Sequence, residues 1–277
     1  MQGDGAAHVP VSEPTKRREF EPRLAGSPPA PLADATPIGA VGCGAMSAQP
    51  DSAWGQFSSW ISQAGARVRV LPVEPHRGEP IARALGVSAR SSLWAMATNV
   101  GALVIDDGWV RVLGGGTAGQ RADLADWNGL SDAPTFARSV GFFVVGYDVM
   151  GGVFALDGGA LSGGPGNGQV FYFAPDSLAW EPMEMGYTPW LQWLLLDRER
   201  VDGWFESQRW PGWRDEVRDL SLDTAVSAFP FAWTEEGKDP SRVHREPIAA
   251  TSVIATTFRF ARELENPSLP GPRPTSL

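Results

Sequence analysis

Residues 102–181 carry the feature that most limits the fold: apolar residues recurring with a period of two, in short runs separated by glycine and aspartate. Ala102-Leu-Val-Ile-Asp106 and Trp109-Val-Arg-Val-Leu113 flank Asp107-Gly108, and two such runs around a two-residue Asp-Gly turn predict a β-hairpin. Strands are expected again at Gly141–Val145, Val153–Leu156 and Gln169–Ala174, with a further one around Leu178–Glu181. The connections are too short for crossover helices. Four or five strands joined in this way form a mainly antiparallel sheet.

Helical patterns lie on both sides of this block. Trp54, Phe57, Trp60 and Ile61 recur at spacings of three and four, which puts them on one helical face. Pro80–Leu85 with a glycine stop at Gly86, and Ser91–Asn99, read as two more short helices. After the strands, Thr188 and Pro189 suit the cap and first position of a helix through Leu195. Arg198–Gln208, Asp215–Leu220 and Pro247–Leu264 continue the helical pattern, with Trp210-Pro-Gly-Trp213 as an interruption. Helices, then strands, then helices is an α+β order, not the alternation of a nucleotide-binding sheet. The expected arrangement is a single α+β domain over residues 46–265, its antiparallel sheet flanked by N-terminal and C-terminal helices.

Outside those limits the character changes. Residues 1–45 hold seven prolines and no apolar period, so they read as a disordered proline-rich extension, with Met46 as an alternative start. Residues 266–277 read as a disordered tail. A net charge of −9 argues against a basic nucleic-acid grip. No run of about 18 apolar residues is present to span a membrane. One cysteine, Cys43, and three dispersed histidines give neither an internal disulfide nor a Cys/His zinc module, so no metal or cofactor is expected.

Reactive motifs are equally sparse. The loops Gly114–Gly119 and Gly158–Gly168 lack the lysine of a phosphate-binding loop and fall between expected strands, where glycine serves as a connector. No Gly-x-Ser-x-Gly elbow occurs, and Ser162 is far in sequence from His76 and His244. Carboxylates are more plentiful: Asp106-Asp107, Asp148, Asp157, Asp176, Glu181 and Glu235-Glu236. Glycoside hydrolysis needs two of them roughly 5–10 Å apart in a cleft. Acids at strand ends serve equally well as turn formers.

Twelve tryptophans are the most unusual part of the composition, and seven lie between Trp180 and Trp233. Core packing is their commoner use. An acidic, tryptophan-rich face would also suit a basic protein partner, with aromatic anchors at the centre and charge steering at the rim.

Several segments resemble the DUF2625 family of bacterial proteins: Leu85-Gly-Val-Ser-Ala-Arg90, Asp106-Asp-Gly-Trp109-Val-Arg-Val-Leu113, Trp127-Asn128, Gly152-Val-Phe-Ala-Leu-Asp157, Val170-Phe-Tyr-Phe-Ala-Pro-Asp-Ser-Leu-Ala-Trp180, Arg209-Trp-Pro-Gly-Trp213 and Trp233-Thr-Glu-Glu236. The resemblance runs from about Trp54 to the last helix and implies no activity, because the family has none assigned. A weaker likeness, in Val-Gly-x-Asp-x-x-Gly-Gly-x-Phe-x-Leu-Asp at 145–157 and Val-Phe-Tyr-Phe at 170–173, is to the SUKH superfamily, many of whose members are immunity proteins that neutralise bacterial toxins. The long glycine loop 158–168 departs from that pattern.

The resulting expectation is a cytoplasmic, non-catalytic, immunity-like protein-binding module with an acidic, tryptophan-rich surface. Its candidate binding residues are Trp109, Asp148, Asp157, Trp180, Trp210 and Trp213. Its partner would be a basic, toxin-like protein, with no nucleic acid and no membrane involved. The alternative is a small-molecule-binding protein or hydrolase using Asp148 and Asp157 in a cleft beside tryptophans.

Overall fold

The computed structural model describes residues 53–130, 141–164 and 166–264. The expected extension 1–45, Met46 and the tail from 266 lie outside the described residues. Within them the order is α1 (Ala53–Ala64), β1 (Val68–Leu71), α2 (Gly78–Ala84), α3 (Ser92–Asn99), β2 (Ala102–Ile105), β3 (Val110–Leu113), α4 (Leu124–Asn128), β4 (Phe142–Asp148), β5 (Val153–Asp157), β6 (Gln169–Ala174), β7 (Ala179–Gly186), α5 (Tyr187–Leu196), α6 (Arg198–Phe205), α7 (Trp213–Val217), β8 (Thr224–Phe229), β9 (His244–Ala249) and α8 (Ala250–Glu263). Strands β1 to β7 form one antiparallel sheet in sequence order, and β8–β9 form a separate hairpin. The α+β class is as expected.

Both faces of the large sheet are apolar. Leu103, Ile105, Val110, Val112, Val145, Phe154, Val170 and Tyr172 face α1, α5 and α6, against Phe57, Trp60, Trp190, Leu194 and Phe205. Val104, Tyr147, Val153, Ala155 and Phe173 belong to the opposite core, with Ile254 and Phe258 of α8. Phe258 stacks on Phe173 at 4.2 Å between ring centroids. Alternation along each strand therefore feeds two cores, which is why β2 and β3 are buried at every position.

Several elements differ from the sequence expectation. Strand β1 was not expected, although Val68-Arg-Val70 alternates as Val110-Arg-Val112 does, because no short turn joins it to a neighbouring apolar run; it pairs in full register with β2. The β8–β9 hairpin was also missed, and Pro247 was expected to open a helix. It instead lies in edge strand β9 opposite Val226, and α8 starts at Ala250. An edge strand tolerates proline because one side of its backbone needs no ladder partner. Helix α5 begins at Tyr187, not after Thr188, whose hydroxyl is bonded to Ser92 Oγ at 2.5 Å instead of capping.

Two turns also changed. Ile105 pairs with Val110, so residues 106–109 make a four-residue loop and not a two-residue Asp-Gly turn, and Asp106 and Asp107 take positive φ values of 51° and 52°. Aspartate tolerates this region better than most residues. The Gly114–Gly119 loop leads into α4 and not into a strand, and Asp123 caps α4 by accepting from the amides of Ala125 and Asp126 at 2.7 and 2.8 Å. Arg77 pairs with that same aspartate. The glycines here serve close approach: a Cβ on Gly115 would overlap the backbone oxygen of Ala97 and the backbone of Gly78.

Gly115→Ala is therefore expected to destabilise the fold by about 1–3 kcal/mol, since neither contact is a movable side chain. Denaturant unfolding should show a lower midpoint at unchanged slope. A midpoint equal to the parent's would contradict this packing.

Candidate functional site

Four of the six candidate residues meet on one face of the sheet. The Asp106–Trp109 loop brings Trp109 beneath α6, and the amide of Val149 donates to the Trp109 carbonyl at 2.9 Å, which sets Asp148 beside it. Trp210-Pro-Gly-Trp213 folds as a turn closed by the Trp213 amide on the Trp210 carbonyl at 3.2 Å, with Gly212 at φ 82°. A left-handed residue is needed there, and glycine supplies it without strain. Both flanking indoles then point inward. The Trp109 ring lies 4.9 Å from Trp213 and 5.7 Å from Trp210.

The expected tryptophan surface is thus an interior. Trp109, Trp210 and Trp213 are all buried. Arginines of the same chain close the cluster from outside. The Arg209 guanidinium carbon sits 4.4 Å from the Trp213 ring centroid, 5.2 Å from Trp109 and 5.6 Å from Phe205. Arg214 also stacks on Trp213 at 4.4 Å, and Arg245 on Trp210 at 4.5 Å. Each contact gains dispersion and cation–π attraction while removing indole surface from water.

Charge is balanced inside this cluster. Arg67 grips Asp106 through two contacts, at 2.5 and 3.1 Å, and Arg209 reaches Asp106 at 3.3 Å and Asp202 at 2.6 Å. Burial would raise the Asp202 pKa, but the hydrogen bond and charge of Arg209, with help from Arg198, hold it below the usual value. Aromatic walls with two carboxylates are the equipment for holding an organic cation. Here the cation is Arg209 itself, so the arrangement fastens α6, the 106–109 loop and the Trp210–Trp213 turn together.

Asp148 has a different task. It is fully buried, its Oδ1 accepts from the amides of Met150 and Gly152 at 2.8 and 3.0 Å, and its Oδ2 accepts from the Tyr172 hydroxyl at 2.7 Å. Burial pushes its pKa up, partly opposed by those hydrogen bonds. A Cβ at Gly152 would overlap both Asp148 Oδ2 and the Tyr172 hydroxyl. Asp157 staples another turn, accepting from Gly159 and Leu161 at 2.7 and 3.0 Å. Burial would raise its pKa, but hydrogen bonds from Ser162 and these amides outweigh that and lower it.

The structure does not bring the remaining candidates together. Asp157 ends β5, whereas Asp148 precedes it across the 149–152 turn, so the two acids sit at opposite ends of the strand and cannot flank one bond. Trp180 lies on the other sheet face against Phe142, Phe173 and Phe258. His76 and His244 are exposed. Among the described residues no cluster of three His, Cys, Asp or Glu side chains is arranged to hold a metal ion, and no helix is long and apolar enough to cross a membrane.

Sequence reasoning missed two features. Arg111 is buried on the Tyr147 face, 5.8 Å above that ring, with no hydrogen bond to either Nη among the described residues, and burial lowers its pKa. Its position in an apolar alternation, Val110-Arg111-Val112, was the available signal. The second is an aromatic face. Phe231 and Trp233 stack at 4.3 Å with planes 7° apart, Phe260 of α8 lies 5.2 Å from each, and Phe229 stands at 5.7 Å from Phe231 with 64% of its surface exposed.

Residues 45–253 match the family described as "Protein of unknown function DUF2625". The chain belongs to this family. It is 36% identical over 192 residues to the uncharacterised protein YbfG of Escherichia coli K12, covering 69% of this chain and 85% of that protein. It is 30% identical over 169 residues to an uncharacterised protein of Haemophilus influenzae, covering 61% of this chain and 72% of that one. No solved structure matches.

Two outcomes follow for the DUF2625 chain. Arg209→Ala removes the guanidinium that joins Asp106 to Asp202 and lies over Trp109 and Trp213, while Arg67 and Arg198 still meet the two carboxylates, so it should cost about 1–2 kcal/mol of unfolding free energy, read by chemical denaturation. Asp148→Asn tests the buried acid. Above the ordinary carboxyl pKa near 3.8 the unfolded state releases this proton while the folded state keeps it, so rising pH favours unfolding until the raised folded value is passed. The asparagine variant lacks that loss and should gain on the parent as pH rises from about 4 toward neutrality. Parallel stability curves would contradict the assignment.

Proposed function

We propose that this DUF2625 protein is a non-catalytic binding module whose contact surface is the aromatic face formed by Phe229, Phe231, Trp233 and Phe260. The observation that supports it is the exposure of Phe229, which extends a stacked aromatic row into solvent where nothing in the described chain covers it. Large aromatics that are well ordered and still accessible make efficient interface anchors, because little side-chain entropy remains to be lost. Beside them a narrow apolar cleft runs between Met150, Val226, Ala228, Ile248, Val253 and Thr257. The tryptophans of the Trp109–Trp213 cluster are the scaffold behind this surface and not the surface itself.

A protein partner fits better than a small metabolite, since the face is a row with a shallow cleft and no converging reactive groups. The net charge of −9 would favour encounter with a basic partner. A cytoplasmic, immunity-like role is the form this reading takes if the SUKH resemblance of residues 145–173 carries over, with a toxin-like basic protein as the ligand.

Affinity capture from a native bacterial lysate, using the full chain and Phe229→Ser in parallel, tests the proposal. Phe229 is exposed, so the substitution should leave stability within about 0.5 kcal/mol. The expected result is a stoichiometric partner held by the parent and reduced at least tenfold by the variant. A parent that recovers no stoichiometric partner, or a partner held equally by both chains, would overturn it.

A further inference from the structure

We propose that Arg111 forms the floor of a small-oxyanion site, holding a carboxylate or a phosphate end-on between its two terminal nitrogens beneath the 217–222 segment, independently of the aromatic face. Strand register sets Arg111 in a row across the sheet. It pairs with Val104 on β2 and with Tyr147 on β4, and Val104 pairs in turn with Arg69 on β1. Directly paired residues share a sheet face, so these four side chains stand side by side. Arg111 is 1% exposed, and neither Nη1 nor Nη2 has a hydrogen-bond partner among the described residues.

A guanidinium in that position cannot neutralise itself. Other buried charged groups shift their pKa and become neutral, but arginine keeps its proton even where burial lowers its pKa, as here. The Tyr147 ring, 5.8 Å from Cζ, is near the outer limit of a cation–π contact, about 6 Å. No acid among the described residues meets the cation. Asp148 lies on the opposite face, where the Met150 and Gly152 amides and the Tyr172 hydroxyl engage both its oxygens and burial favours its neutral form. Asp223 accepts from the Arg121 amide at 3.0 and 3.2 Å. Arg69, at the exposed end of the row, adds a second positive charge. A water molecule would satisfy the N–H groups and leave the charge, whereas an anion answers both.

The cover over this row is a single stretch of irregular chain. A Cβ on Gly108 would lie 3.0 Å from the Val217 carbonyl oxygen and 3.8 Å from Val104 Cγ1, so the 217–222 segment starts beside Val104. It ends where the Leu222 carbonyl accepts from the Tyr147 hydroxyl. Val104 and Tyr147 flank Arg111, so the segment passes over Arg111 between them, as turns in which Asp219 and Ser221 are exposed. Gln120 Oε1 holds it in place by accepting from the Leu222 amide at 2.7 Å. The two orphaned nitrogens select the ligand class. Coplanar Nη1 and Nη2 match two oxygens of one carboxylate or phosphate, a geometry that a halide does not offer.

Equilibrium dialysis of the full chain against radiolabelled phosphate and, separately, radiolabelled acetate tests this, in a chloride background of constant ionic strength. The expected result is stoichiometric uptake of at least one of them. Phosphate alone would mark a phosphate-type ligand, and acetate alone an organic acid. Arg111→Met keeps an unbranched side chain without the charge and should abolish uptake. Arg111→Lys keeps the charge without the fork and should weaken uptake at least tenfold. Hydrogen exchange on the parent chain gives a readout that needs no variant: the amides of residues 110–112 and 217–223 should slow when the bound anion is added. Uptake of neither anion, uptake that survives Arg111→Met, or slowing confined to another part of the fold would each overturn the proposal.

Discussion

A meander sheet that is apolar on both faces has to be covered twice, and in this chain that requirement governs where the aromatic residues go. Helices α1, α5 and α6 cover one face and α8 with the β8–β9 hairpin covers part of the other. Helices of eight to fourteen residues leave irregular space over seven strands, and indoles fill it. Trp190 against Phe154, Trp109 against Phe205 and Trp213, and Trp180 against Phe173 and Phe258 all do this work. Several of these indole N–H groups, Trp109, Trp190 and Trp210 among them, make no hydrogen bond among the described residues. Each such group costs on the order of 1–3 kcal/mol. The apolar area that each ring removes from water offsets that cost.

The polar residues that look functional in isolation answer to the same requirement. Asp106 joins Arg67 to Arg209, Asp148 shapes the β4–β5 turn under Tyr172, and Asp123 caps α4 while meeting Arg77. Each carboxylate is consumed by backbone amides, a hydroxyl or an arginine of the chain. Among the described residues, α8 and the 229–233 segment, at the outer edge of the second layer, expose rings that their neighbours only half cover.

Much of the sheet was legible in the sequence, because β2 to β6 carry period-two runs punctuated by glycine and aspartate. The ends of the sheet were not. Val68–Leu71 has no short turn joining it to a neighbouring run, and His244-Arg-Glu-Pro247-Ile-Ala places charge and proline where an edge strand can accept them but a pattern reading rejects them. The site was legible only in part. The motifs at Asp106–Trp109, Asp148 and Arg209–Trp213 do converge, yet composition alone could not say whether tryptophan lies at a surface or within. The deciding detail is that Arg209, Arg214 and Arg245 stack on those indoles, a long-range contact with no local signature. The aromatic face escaped for the opposite reason: Phe229 ends β8 opposite His244, Phe231 and Trp233 follow beyond Pro230 outside any strand, and Phe260 reaches them from another element.

Hydroxyl-radical footprinting of the tryptophans, with mass-spectrometric readout in native and unfolded protein, bears most directly on the central claim that the conspicuous indoles are scaffold. The account predicts that Trp109, Trp210 and Trp213 react in the native chain at a small fraction of their unfolded rates, while half-buried Trp204 of α6 reacts measurably. Native rates for Trp210 and Trp213 that approach the unfolded ones would contradict it.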